Sequence, residues 1–245
     1  MAKPTIAVKA VYQGAEKTGN TITIDTNMDL LKRPVTLTID GSFIAAAGTS
    51  REENGGALLV TGNINVTDTL MRLNIDYRQV SSVTIIVPAG TVVAGNLGFN
   101  GRVAAIQTGT GMAGIPIYII NYGYLFGAGG SRTGLVNGQA AINNQRSAAD
   151  PIFVVNKEGG WICGGGGCGE GAATKGNTYS GGGAPYGRGY GGGGDAGLLT
   201  GGPELHRDGD NGGAIGRKGD GTRGGAAGPT HIGTVVIENY GRLGP

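Results

Sequence analysis

The sequence predicts a mainly β protein in two parts: a β-solenoid or sandwich over residues 1–120, then a bundle of polyglycine type II helices over residues 121–245. Three observations carry this. β-branched runs broken by turn residues fill the first part. Glycine fills the second, which holds 39 of the chain's 53 glycines. A pattern of β run followed by glycine recurs within that second part.

Strands are expected at Thr21–Asp25, Val35–Ile39, Ala57–Val60, Leu70–Ile75 and Val83–Val87. Asp40-Gly41, Asn54-Gly55-Gly56, Thr61-Gly62-Asn63 and Pro88-Ala89-Gly90 supply the turns between them. Met28–Lys32 could make a short helical turn, but no long helical stripe appears. The phrases VTLTIDGSFIAAAG and VTIIVPAGTVVAGN share an order of β-branched strand, small turn and second short strand. Stacked solenoid coils read in this way, and so does a sandwich.

In the second part, Pro116–Gly130, Pro151–Gly167 and Thr234–Pro245 each hold an apolar β run, an asparagine, a glycine and then a large apolar residue. That residue is Leu125 in the first copy, Trp161 or Ile162 in the second and Leu243 in the third, which is expected to close a sheet. Glycine runs lie between the last two copies. Glycine loses the most backbone entropy on folding, so disorder is one reading. The other is a set of extended helices with three residues per turn, close enough for their main-chain groups to bond from helix to helix. Trp161, Ile162, Tyr186, Tyr190, Leu198, Leu199 and Ile215 interrupt the runs as no flexible linker would, which favours order.

The strings IINYGYLFGAGG, SGGGAPYGRGYGGGG and GRKGDGTRGGAAGP resemble the glycine-rich adhesins at the distal end of T-even-type phage long tail fibres, over about residues 116–245. The resemblance implies a sandwich of polyglycine helices with variable loops at its tip, and a host outer-membrane protein as receptor. It also implies a second partner, the phage tail-fibre protein at its trimeric tip, and a place on the virion's distal fibre after synthesis in the host cytoplasm. Residues 1–120 are then the fibre-attachment domain and residues 121–245 the receptor-binding domain. The family's tryptophan-bearing capping segment has no counterpart, since Trp161 is the sole tryptophan.

A glycine helix offers no side-chain chemistry, so recognition belongs to the segments between runs. Ser131–Asp150 offers Arg132, Leu135 and Asn137. Ala172–Ser180 offers Lys175 and Tyr179. Ala184–Tyr190 offers Tyr186, Arg188 and Tyr190, although the two tyrosines could equally pack over glycine layers. Leu198–Asn211 offers Leu198, Leu199, Leu205, His206 and Arg207. Tyrosine and arginine dominate binding hot spots, and tyrosine gives contact area at low entropic cost.

Other classes find little support. Net charge is +2 with no basic stripe, so nucleic acid is not an expected partner. Gly187–Gly192 fits G-x-G-x-x-G, which a chain this rich in glycine produces by chance. Asp208–Gly212 lacks the spacing of a calcium loop. Cys163 and Cys168 lack two further zinc ligands, and a straight run would hold them too far apart for a disulfide. No nucleophile elbow or carboxylate pair is identifiable, so no enzyme activity, cofactor or metal is expected. No signal peptide or membrane span is expected either. The alternative function is a carbohydrate-binding tail module that recognises lipopolysaccharide.

Overall fold

A computed structural model describes residues 32–40, 50–53, 58–95, 103–130, 137–169, 183–186, 196–201, 211–220 and 225–245. The strand expected at Thr21–Asp25 lies outside them.

Among the described residues the strands form three sheets, and the chain visits them in rotation. The first sheet holds β1 (Arg33–Thr38), β5 (Val80–Val87), β8 (Ile117–Asn121), β11 (Ile152–Asn156) and β14 (Val235–Asn239), in that order. The second holds β4 (Ile64–Asn65), β7 (Ile106–Gln107), β10 (Ile142–Asn143) and β13 (His231–Ile232). The third holds β2 (Ser50–Glu53), β3 (Leu58–Thr61), β6 (Thr91–Ala94), β9 (Tyr124–Phe126), β12 (Trp161–Cys163) and β15 (Arg242–Leu243). Every pairing is parallel except β2 with β3. Each coil therefore contributes one strand to each sheet: β4-β5-β6, then β7-β8-β9, β10-β11-β12 and β13-β14-β15. This is a three-faced parallel β-solenoid.

Register explains why the coils stack. Val83, Ile117, Ile152 and Val235 align on the first sheet. Ile64, Ile106, Ile142 and His231 align on the second. Val93, Leu125, Ile162 and Leu243 align on the third. All but the last-coil residues and Ile64 are fully buried, and Ile64 is nearly so. Each such side chain is worth about 1.5–3 kcal/mol on burial, so the rows form one continuous core along the solenoid.

A polar row runs through the same interior. Asn121 donates its amide to Asn156 Oδ1 (2.8 Å), and Asn156 donates to Asn239 Oδ1 (2.7 Å). Asn121 and Asn156 are fully buried, and this ladder ties three coils at the corner between the first and third sheets. The corner then turns through Gly123, Gly160 and Gly241. A Cβ on Gly160 would run into Asn156 Oδ1 and the carbonyls of Asn121 and Lys157, so only glycine fits where the coils approach this closely.

Three expectations are corrected. The solenoid does not stop at residue 120: β8 straddles that position, and coils continue to Leu243. The composition shift marks an insertion into the solenoid rather than its end. Leu70–Ile75 is not a strand, because Asn65 caps a helix, α1 (Val66–Arg72), by accepting from the N–H of Asp68 (3.3 Å). Val66 and Leu70 then share its buried face. Residues 137–150 are not a free loop either. They contain β10 and the half-buried Arg146, which donates to the carbonyls of Met112 (3.3 Å), Ile115 (2.5 Å) and Pro151 (2.9 Å).

Candidate functional site

Three segments leave the solenoid at one corner, between the third sheet and the second: 95–105, 127–141 and 164–230. The glycine runs lie in the last two, and described residues of 164–230 pack on the outer face of the third sheet. That sheet is apolar on both sides. Val93, Leu125 and Ile162 point into the solenoid, while Val92, Ala94, Phe126 and Cys163 point out. Fully covered parallel strands read as such unbroken apolar runs. The outward residues meet Ala184, Tyr186, Ala196, Leu198 and Ile215 in a second core. At its rim Trp161 lies edge-on to Phe126 (4.9 Å between centroids) and carries Arg242 on its ring at 4.0 Å.

The run Gly164–Gly167 is the axis of the glycine layer. Successive N–H groups donate to three different segments: Gly165 to Gln139 (2.9 Å), Gly166 to Ala184 (2.6 Å) and Gly167 to Arg217 (3.0 Å). Its carbonyls accept from Gly216, Gly228, Gly130 and Gly213. The missing side chains follow a period of three. A Cβ on Gly164 or Gly167 would collide with the 225–228 segment, one on Gly165 with Ala128, and one on Gly166 with Gly213 and Ala214. These bonds come from main chain outside any sheet, so the layer meets the requirement that buried N–H and C=O groups be paired.

Segments expected to bind are anchored together. Gly130 donates to Gly166 (2.7 Å) and accepts from Gly183 (2.9 Å). Asn137 Oδ1 accepts from the N–H of Ala226 (2.9 Å). Gly225 donates to Cys168 (2.8 Å), and Asp220 donates to the carbonyl of Asn211 (3.0 Å). These residues flank 131–136, 170–182, 202–210 and 221–224. They assemble towards the end of the Gly164–Gly169 run that is remote from β12.

Of the residues expected to bind, Asn137 is exposed at this end, where its side-chain oxygen latches two segments. Leu199 is exposed as well. Tyr186 and Leu198 are corrected: they are 2% and 8% exposed and face the third sheet. A glycine layer has few apolar groups to hold it down, and these are the ones it uses. Arg132, Leu135, Lys175, Tyr179, Arg188, Tyr190, Leu205, His206 and Arg207 lie outside the described residues. Sequence reasoning missed the seat itself. Its signal was the run of alternate outward residues Val92, Ala94, Tyr124, Phe126, Trp161 and Cys163.

Cys163 and Cys168 are both buried, and no disulfide joins them. Burial pushes the Cys163 thiol up to about 11, with Arg242 and Arg217 opposing. The expected consequence is protection from alkylation. At pH 8 the folded protein should react at Cys163 roughly 100-fold more slowly than the unfolded chain, from the thiolate fraction alone. Mass-spectrometric labelling with and without denaturant reads this directly. Because the folded thiol holds its proton more tightly, its contribution to stability is full below about pH 9 and declines as pH rises towards 11.

No protein-family model and no curated protein sequence matches the chain. Among solved structures it is similar to a chain in the crystal structure of the gp37-gp38 adhesin tip complex of the bacteriophage S16 long tail fiber. Identity is 23% and the TM-score 0.56, with 80% of this chain and 82% of that chain covered. In fold, this protein resembles the adhesin tip of a phage long tail fibre.

Proposed function

We propose that the chain is a receptor-binding adhesin at the distal tip of a phage tail fibre, and that it recognises a host outer-membrane protein. The observation that carries this is the gathering of segment anchors at one end of the glycine layer. Side chains cannot project from within that layer, so specificity concentrates in what its end presents. The three-residue period and the segment-to-segment bonding of Gly164–Gly167 support a polyglycine type II sandwich, which would hold such a tip rigid. Preorganisation of this kind saves ordering cost on binding. The solenoid would serve as the connection to the fibre protein, and the chain would act in the virion as a binding protein without catalysis.

The contact residues proposed at this end are Arg132, Leu135, Asn137, Lys175, Tyr179, Leu205, His206 and Arg207, with Arg188, Tyr190 and Leu199 proposed as further contacts outside the four anchored segments. The test is capture of outer-membrane proteins from host cells on the immobilised chain, followed by affinity measurement with the captured receptor. Exchanging residues 202–210 for a glycine-serine segment should weaken binding by more than about 30-fold, the scale of a lost hot spot. Unchanged affinity would place recognition elsewhere.

A second reading is favoured by one observation. Tyr118 and Phe153 stack on the outer face of the first sheet with centroids 5.6 Å apart, and both are exposed. An aromatic strip along a solenoid could hold a lipopolysaccharide glycan. Binding to purified lipopolysaccharide that is lost in Tyr118→Ala would select it.

A further inference from the structure

Among the described residues, the last coil is left uncovered on one side. No strand among them pairs with β13, β14 or β15 on the side away from β10, β11 and β12. Residues that would be core in any other coil are uncovered there. Leu243 is 40% exposed where its equivalent Ile162 is fully buried, and Val235 and Ile237 are half-buried where Ile152 and Val154 are buried. Ile232 and Val236 are 50% and 52% exposed beside them. Open strand edges with apolar neighbours are templates for further pairing.

The layout of this coil points to what covers it, because it is symmetric about Ile237. Two-residue β13 lies as far before Ile237 as two-residue β15 lies after it, and five-residue β14 is centred on it. The two corners match too: Gly233 and Gly241 stand at equal distances from Ile237. We infer that this end of the solenoid is a two-fold interface with a second copy of the same chain. The axis would pass through Ile237, β14 would pair antiparallel with its copy, and β13 would pair with the copy's β15.

Hydrogen-bond direction agrees with that register. The carbonyl of Thr234 accepts from Ile152, and the N–H of Tyr240 donates to Asn156. Even-numbered positions of β14 thus face β11, and the N–H and C=O groups of Val235, Ile237 and Asn239 face outward. A two-fold at Ile237 sets Ile237 opposite itself and Val235 opposite Asn239. Those are the positions that exchange paired bonds in an antiparallel ladder. On the flanks, Ile142 donates to Thr230 and Gly244 donates to Ile162, which leaves His231 and Leu243 outward and opposite each other.

Charge and face agree as well. Inward residues meet inward residues, and no charge meets its own copy: Glu238 falls opposite Val236, and Arg242 opposite Ile232. An arrangement in which each patch meets its own image is what an isologous dimer needs. It rests on the solenoid end alone and is independent of the adhesin reading.

The test is sedimentation velocity of the full chain over the micromolar range. The parent should show a reversible monomer–dimer equilibrium. Val236→Glu places a carboxylate opposite Glu238 of the copy in both halves. Its site is outward and exposed, so the monomer fold is spared, and dimer affinity should fall at least about tenfold. Adding Glu238→Lys makes each opposed pair attractive and should restore the dimer. A parent that stays monomeric throughout, a V236E chain that dimerises like the parent, or a V236E/E238K chain that stays apart would each overturn the interface. Disulfide formation gives a second readout. Mixed V236C and E238C chains should cross-link under mild oxidation, while either alone yields far less, since only the mixed pair lies within bridging range. Equal yields from all three would overturn the register.

Discussion

Gly165→Ala is expected to destabilise the protein by about 4 kcal/mol, beyond the ~1–3 kcal/mol usual for overpacking, because the site has no room to relax. The added methyl would collide with the Ala128 carbonyl. That segment is itself held, since Gln139 donates to Ala128 (2.8 Å) and Gly165 donates to Gln139 (2.9 Å). Moving one rod therefore strains its neighbours in turn. For a chain of this length, calorimetry should show Tm lowered by about 10 °C. Gly114→Ala is the control. Gly114 has φ +71, and nothing lies within 4 Å of where its methyl would sit, so only backbone strain of about 1–2 kcal/mol is expected. If both substitutions cost the same, the glycine layer is not packed as described.

Asn156→Ala should cost about 3 kcal/mol, measured by denaturant unfolding. Asn156 is the middle member of the ladder, and its loss strands the buried Asn121 amide while opening a void. An unpaired buried polar group costs about 1–3 kcal/mol before any cavity is counted. Asn239→Ala removes the exposed end of the same row. There Asn156 keeps the carbonyls of Arg242 (3.2 Å) and Gly160 (3.4 Å) as acceptors, so a loss of about 1 kcal/mol or less is expected. Comparable losses at both positions would mean that the ladder is not a buried network.

Much of the solenoid was legible because its long strands carry β-branched residues in alternation and its coils repeat. Asn121 and Asn156 lie 35 residues apart, whereas Asn156 and Asn239 lie 83 apart. The insertion that causes the larger gap hid the fact that the third repeat belongs to the same solenoid. Strands β7, β10 and β13 escaped notice because two residues carry no period. The helix at Val66–Arg72 was hidden by the apolar content of Leu70–Ile75, which reads as strand until the cap at Asn65 is recognised. Leu198 misled for a different reason. An apolar residue amid glycine reads as exposed until a sheet with a second apolar face is supplied for it, and that sheet includes Val92 and Val60, both more than a hundred positions earlier.

The long excursion between β12 and β13 also bears on the order of folding. Coils built from β4 to β12 close over loops of a few tens of residues and can zip from one to the next. The last coil can add only after the whole glycine layer has brought its ends together. Closure of a longer loop adds little to the equilibrium cost, since each doubling costs roughly 0.6 kcal/mol, but distant pairings slow the search for them. Refolding should thus run in two stages, with amide protection in β11 appearing before protection in β14. Until the second stage finishes, the outward apolar face of the third sheet stands bare, and that interval is when the chain is most vulnerable to aggregation.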